Sequence, residues 1–264
     1  MIKIEKTDFA EIDSLRMDYL NSLSEFQELY LEMMVENSAC YIIIGNGISV
    51  GYAILTMDNI LVEFYLIEEF IHHSDDYFKT LIHELSVSKI YCKSFDYLLL
   101  TCCLRNSFGY TLEGTLFRNY IETNAFPVDD LTIRYADYTD YPFLLQQKDE
   151  LYETPQELET FVKGHNIIMF QKDNQLLGCG YLIKVHPNWN YYDIGMWVNT
   201  DFRKHGVATQ IISYLKDTCL KNNWRPICGC AIDNVASKKT LEKNGFRSKH
   251  SLIKFDTNKT TISN

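Results

Sequence analysis

Arg203, Gly206 and Ala208 share one short stretch and are residue types that can hold a phosphate group. They sit in Trp197-Val198-Asn199-Thr200-Asp201-Phe202-Arg203-Lys204-His205-Gly206-Val207-Ala208-Thr209, where an apolar strand runs into a polar turn and a helical pattern begins. The first N–H groups of a helix have no intrahelical acceptor, and with the helix dipole they form an anion site. Glycine at 206 leaves no side chain in the way of a close approach. The chemistry expected is the cradling of a phosphate or pyrophosphate. Arg203 would be the charged ligand and Gly206 and Ala208 the small positions that close packing needs. Lys204, His205 and Thr209 would contribute backbone N–H groups more than side chains. A plain capped surface helix is the competing reading of the same residues.

These residues need a strand before them and a helix after them. Tyr191 to Val198 reads as the strand, and Ala208, Ile211, Ile212, Leu215 and Cys219 give the i, i+3, i+4, i+7, i+11 spacing of one buried helix face, with the helix ending near Lys221. Upstream, Leu131 to Tyr135 reads as a strand, 139–150 and 155–163 as helices, and Asn166 to Phe170 with Leu176 to Val185 as a hairpin turning at Lys172-Asp173-Asn174. Downstream come a strand from Pro226 to Ile232, a helix from Asn234 to Lys243 and a strand from Phe246 to Phe255, with a polar tail from Asp256 expected to lack structure. Gly245 fits the left-handed position just past a helix end.

The first half repeats this order: helices at 8–20 and 24–37, strands at 41–44, 51–55 and 60–66, a helix from Asp75 to Val87, a strand from Phe95 to Cys103 and a strand pair over Gly109 to Tyr120. A repeat of roughly 130 residues predicts two copies of one mixed α/β domain. Pro127 and its neighbouring aspartates mark a linker, so the expected domains are 1–125 and 126–264.

Arg203-x-x-Gly206-x-Ala208 resembles the R/Q-x-x-G-x-G/A loop of the Gcn5-related N-acetyltransferases, the GNAT family. Asn234-x-x-Ser237 followed by Glu242-Lys243-Asn244-Gly245-Phe246 resembles that family's later signature, and the likeness is best over residues 190–255. The resemblance implies an α/β (mixed α+β) fold in which each domain is a mostly antiparallel sheet flanked by helices. It further implies acetyl-CoA as co-substrate, with its pyrophosphate on 203–209 and its pantetheine arm beside Met196, Trp197, Val198, Asn234 and Ser237. By the same likeness the strand splays from its neighbour and offers a backbone N–H at Met196 to the thioester carbonyl. An attacking amine must be neutral, so a base is expected. Asp193 is the first candidate, with Tyr192 and Tyr191 on the same strand and His186 before it. Many family members carry a tyrosine seven residues after the asparagine as general acid; here that position is Leu241.

Composition limits the alternatives. The 264 residues are 46% hydrophobic and 23% charged, ordinary for a globular protein. No apolar run nears the ~18 residues of a membrane span and the start lacks a signal-peptide layout, so no membrane partner and a cytoplasmic location are expected. Eight cysteines without ligand spacing read as reduced core thiols, and no metal site is expected. Residues 1–125 carry 8 basic and 19 acidic residues, 126–264 carry 17 and 16, and 203–254 alone carry 11 and 3. The net charge of −10 argues against nucleic acid as a partner and against an aminoacyl transferase that uses charged tRNA.

In the first half, Glu68, Glu69, Asp75 and Asp76 stand where the phosphates would sit, and there is no glycine between Gly51 and Gly109. Only the second half is therefore expected to bind acetyl-CoA, transferring the acetyl group directly to a small primary amine. The acidic first half points to a cationic acceptor held between the halves. An acyl-CoA-binding protein that has lost catalysis is the alternative. Neither the oligomeric state nor the identity of the amine follows from the sequence.

Overall fold

The computed structural model describes residues 1–128, 130–147, 152 and 154–260. In chain order the elements are β1 (Ile2–Thr7), α1 (Phe9–Ser22), α2 (Leu29–Glu36), β2 (Ala39–Gly45), β3 (Ile48–Leu55), β4 (Ile60–Leu66), α3 (Ser74–Glu84), β5 (Lys89–Lys93), α4 (Tyr97–Arg105) and β6 (Phe108–Tyr120). They continue with β7 (Thr132–Tyr135), α5 (Tyr141–Leu144), α6 (Pro155–Lys163), β8 (Ile167–Lys172), β9 (Gln175–Lys184), β10 (Tyr191–Val198), α7 (Val207–Lys221), β11 (Arg225–Ala231), α8 (Val235–Lys243) and β12 (Phe246–Thr260). Two compact units emerge: Met1–Leu116 with the chain from Lys249 on, and Phe117–Ser248. This division differs from the expected 125/126 boundary because the long strands β6 and β12 each begin in one unit and end in the other.

In the first unit the strand order is β1-β2-β3-β4-β5-β12. All neighbours are antiparallel except β4 and β5, which run parallel and pair only at Ile60↔Lys89 and Leu61↔Ile90. Asn46 and Gly47, both at positive φ (54° and 86°), make the two-residue turn between β2 and β3. A core around Phe64, Phe78, Leu81, Leu99 and Phe255 fills one face. The other face holds a buried polar network. Arg16 of α1 donates through Nε and Nη2 to Glu63 (3.0 and 2.9 Å) and through Nη2 to Glu32 (2.6 Å). Gln27 and Tyr52 also donate to Glu63, at 2.9 and 2.8 Å. Lys93 donates to Tyr19 and Gln27, and Tyr19 to Asp96. The network ties α1 and α2 to β3, β4 and β5.

In the second unit the order is β6-β11-β10-β9-β8-β7. Asp173 and Asn174, at φ 49° and 62°, form the expected hairpin turn between β8 and β9. Helix α7 lies on β9, where a Cβ at Gly180 would come within 2.8–2.9 Å of Leu215 and Ile211. Ile211, Ile212, Leu215 and Cys219 are buried as their spacing predicts, but Val207, not the half-buried Ala208, opens the core face.

Several expectations need correction. Phe95 to Cys103 is not a strand: the Asp96 carboxylate accepts from Leu99 N–H (3.2 Å) and caps α4, whose buried Leu99, Cys102 and Cys103 follow helical spacing. The strand of that region is the less apolar β5. β1, with Ile2 and Ile4 alternating with charged residues, went unread as an edge strand. β6 is one 13-residue strand where a pair was expected. β12 continues into the polar tail as far as Thr260, pairing Leu252–Asp256 with β5, and the Thr257 hydroxyl donates to Val87 C=O at 2.7 Å. Of the helix expected at 139–150, only Tyr141–Leu144 is helical, and 148–150 lie outside the described residues.

Two outcomes follow for the first unit. Arg16→Met leaves Glu63 and Glu32 buried without their counter-charge and should cost about 3–5 kcal/mol in denaturant unfolding; a loss under ~1 kcal/mol would refute the network's structural weight. Burial, with Glu63 nearby, raises the Glu32 pKa above its ordinary 4.5 despite Arg16. A raised carboxyl pKa favours folding at low pH, and that contribution fades as pH rises through the folded value. Glu32→Gln escapes this loss, so its stability relative to wild type should increase as pH rises from about 4.5 toward 8. An opposite slope in thermal melts would show that the Arg16 ion pair dominates.

Candidate active site

β10 is flanked unequally. On the β9 side it pairs along its length, from Tyr192↔Lys184 to Val198↔Gly178. On the β11 side the parallel register covers only Tyr191↔Arg225, Tyr192↔Pro226 and Asp193↔Ile227. Backbone alternation identifies the groups beyond that point. Asn190 C=O accepts from Arg225 N–H on the β11 side (2.7 Å), whereas Tyr191 C=O accepts from Val185 N–H and Asn199 N–H donates to Leu177 C=O on the β9 side. Successive strand residues face alternate neighbours. Ile194, Met196 and Val198 therefore turn their N–H and C=O groups toward the opening between β10 and β11.

Arg203 Nε donates to the Val198 carbonyl (3.1 Å), joining the open end of the strand to the turn that follows. Thr200–Phe202 form a single 3-10 turn, started by the Asn199 side chain accepting from Asp201 N–H (3.4 Å). Lys204 and Gly206 take positive φ (67° and 86°), and α7 starts at Val207 with no side-chain cap. The first intrahelical bond is Gln210 N–H to Gly206 C=O. The N–H groups of Val207, Ala208 and Thr209 thus head an uncapped helix, and a Cβ on Gly206 would meet nothing within 4 Å. Arg203, Lys204 and His205 are exposed, Ala208 is half-buried and Thr209 is buried.

The candidate residues do not all converge. Ile194 packs in the core on the α7 side, as do Tyr192, Met196 and Val198 in part. Asp193 and Trp197 face the other side, where Trp197 meets Phe143 edge-on at 6.4 Å. Tyr192 stacks on Trp224 (4.1 Å, 13°), and burial raises its phenol pKa. At ~3.3 Å per residue, Tyr192 lies about 13 Å and Asp193 about 10 Å from Met196 along the strand. His186 precedes the opposite end of β10 from the turn and accepts from Asn188 N–H at 3.2 Å. Asn234 caps α8 by accepting from Ser237 N–H (3.0 Å), and Gly245 takes the expected left-handed conformation (φ 92°). Leu241 is 1% exposed within the core.

Sequence reasoning missed Arg118. It reaches in from β6 and donates to Cys228 C=O at 3.2 Å; burial chiefly raises the Cys228 thiol pKa, Asp193 raises it further and Arg118 opposes the rise. A separation of 75 positions from Asp193 gave no signal. The positive charge near the turn was also overcounted. Lys216 is buried and holds Asn244 C=O at 2.6 Å, Arg225 bonds Tyr191 at the closed end, and Lys254 pairs with Glu113 in the first unit.

Residues 8–120 match the family described as acetyltransferase (GNAT) domain, and residues 129–246 match the acetyltransferase (GNAT) family. Among solved structures, an acetyltransferase of the GNAT family from Colwellia psychrerythraea is similar over 96% of this chain and 99% of its own, with TM-score 0.86 and 18% identity. A GCN5-related N-acetyltransferase from Sphaerobacter thermophilus covers 97% and 95% (TM-score 0.64, 9% identity). A tandem GNAT protein from the clavulanic acid biosynthesis pathway covers 99% and 100% (TM-score 0.63, 10% identity). No curated protein matches the chain in sequence. With both halves matched and the fold shared end to end, the chain belongs to the GNAT acetyltransferase family and carries two of its domains in tandem.

Proposed function

We propose that the second domain, taken as 126–264, moves an acetyl group from acetyl-CoA directly to a small primary amine, and that the first, 1–125, holds no donor. The observation that carries this is the opening beyond Asp193, which has the Met196 N–H on its edge and an uncapped helix at its end. Unpaired strand N–H groups beside uncapped helix N–H groups fit a thioester carbonyl and a pyrophosphate. Met196, Trp197 and Val198 line the pantetheine, with Asn234 and Ser237 beside it. Arg203 and the backbone from Lys204 to Thr209 hold the phosphates. In the first domain the turn after β4 carries Glu68 and Glu69, and α3 opens with Asp75 and Asp76, which would repel phosphates.

Bound acetyl-CoA supplies an activated acyl group. The Met196 N–H donates to the carbonyl oxygen as it gains negative charge. Asp193, about 10 Å away along the strand, takes the amine proton through water. Tyr192, stacked on Trp224 on the other face, is a wall of the site's closed end. The buried Leu241 donates no proton, and none is required, since a thiol of pKa ~8.5 leaves adequately as thiolate. The acidic first half favours an acceptor that is cationic in solution, and a cytoplasmic setting is part of the same proposal. The missing acid also favours the second reading, an acyl-CoA-binding protein without turnover; thiol release in a screen of amines separates the two.

Gly206→Val forces a branched residue into positive φ and sets its side chain before the helix start. It should abolish the single acetyl-CoA equivalent seen by calorimetry while the thermal melt persists. Arg203→Ala should weaken binding by about 1.5–3 kcal/mol. Unchanged affinities, or two equivalents per chain, would refute the donor site. With any amine that turns over, Asp193→Asn should lower kcat by ~10²-fold at constant donor affinity; a variant within a few-fold of wild type would return the proton to bulk water.

A further inference from the structure

The sheet of the first domain ends at β1, which pairs with β2 from Ile2↔Gly45 to Thr7↔Cys40 and, among the described residues, has no strand on its other side. Every second residue of such a strand turns its N–H and C=O outward, a template for another chain. Ile2 and Ile4 are half-buried and pack against the core of the unit, while Lys3 and Glu5 stand exposed on the opposite face, two residues apart. Neither of those two side chains takes part in a hydrogen bond or ion pair among the described residues. Charges on an edge strand ordinarily keep other strands away. An edge whose charges complement themselves excludes strangers and accepts its own copy.

We infer that β1 pairs antiparallel with β1 of a second copy of this chain, across a two-fold axis at Ile4. The joint lies in the first domain and is independent of the donor reading. Opposed residues in an antiparallel pair show their side chains on the same face, so the axis must pass through a residue, not between two. Axes at Lys3, Glu5 or Lys6 would set like charges directly opposite each other, which is destabilising. Axes at Ile2 or Thr7 would leave the strands barely overlapping. At Ile4 the axis sets Lys3 opposite Glu5 of the second copy, and Glu5 opposite its Lys3. On the other face Ile4 meets its own copy, and the aliphatic stem of Lys6 lies over Ile2. A contact made by the same patch on both copies closes at two and does not propagate. A six-residue strand pair buries less than the ~1,200 Å² of a stable interface, so the dimer is weak and reversible.

Sedimentation velocity on the full chain over a concentration series should show a monomer–dimer equilibrium. Lys3→Glu alone, or Glu5→Lys alone, turns both attractive pairs into repulsive ones and should weaken dimerisation about tenfold or more. The double variant Lys3→Glu/Glu5→Lys restores opposite charges in the same register and should recover wild-type association. Both positions are exposed, so all three variants should keep the wild-type thermal melt. Wild type that stays monomeric up to ~0.5 mM would overturn the inference. A dimer that either single variant leaves intact, or that the double variant fails to restore, would overturn it equally, since the contact would then lie elsewhere.

Discussion

Two parallel strands that pair for three residues and then part set the terms for the second domain. A backbone N–H or C=O without a partner is costly where water is scarce, so strand parting is tolerated only if something meets the freed groups. Here Arg203 meets one of them, the Val198 carbonyl, and so couples the opening to the turn. That contact fixes where α7 begins relative to the open strand, because Arg203 lies only three residues before Gly206. The uncapped start of α7 and the edge of β10 beyond its pairing with β11 are thus placed by one short segment.

The first domain meets the same constraint differently. β4 and β5 also run parallel and also pair only briefly, at Ile60 and Leu61. Glu63 stands two residues beyond that pairing, and the α1–α2 face over it is filled by Arg16, Gln27 and Tyr52. The fully buried Glu63 carboxylate accepts four hydrogen bonds and is wholly committed to this internal network. Where the second domain keeps Gly195 at the middle of its strand, the first keeps a fixed internal ion pair. Family membership is therefore common to both halves, while the surfaces next to the parted strands have diverged in chemistry.

Much of the second domain was legible because its signals are local. The Asp173-Asn174 turn, the Asn234 cap, the Gly245 helix end and the α7 stripe each depend on residues within about one or two helical turns. α4 was misread because Leu98 to Leu104 is apolar but for Thr101, and period alone does not separate a buried strand from a buried helix; the deciding signal was one side chain, Asp96. Long-range features were out of reach. Nothing in the run of residues links Arg16 to Glu63 or Arg118 to Cys228. The strand that runs into the polar tail pairs at Leu252–Asp256 with β5, a neighbour that only the folded first unit supplies.

Charge shows the same limit most clearly. Counted along the chain, 203–254 is strongly basic, which reads as a broad field for a polyanion. Folded, several of those charges are committed elsewhere: Lys216 holds the end of α8, Arg247 bonds Glu242 and Phe246 carbonyls, and Lys254 pairs with Glu113. At the turn itself stand Lys204, His205 and Arg203, whose Nε is bonded to the Val198 carbonyl, together with oriented backbone amides. Amides and a helix dipole act within the first turn and carry no net charge. Under the proposed donor reading, phosphate recognition at this turn would therefore rest on the fixed geometry of Gly206 and Val207 to Thr209 more than on the distant attraction that the basic count implied.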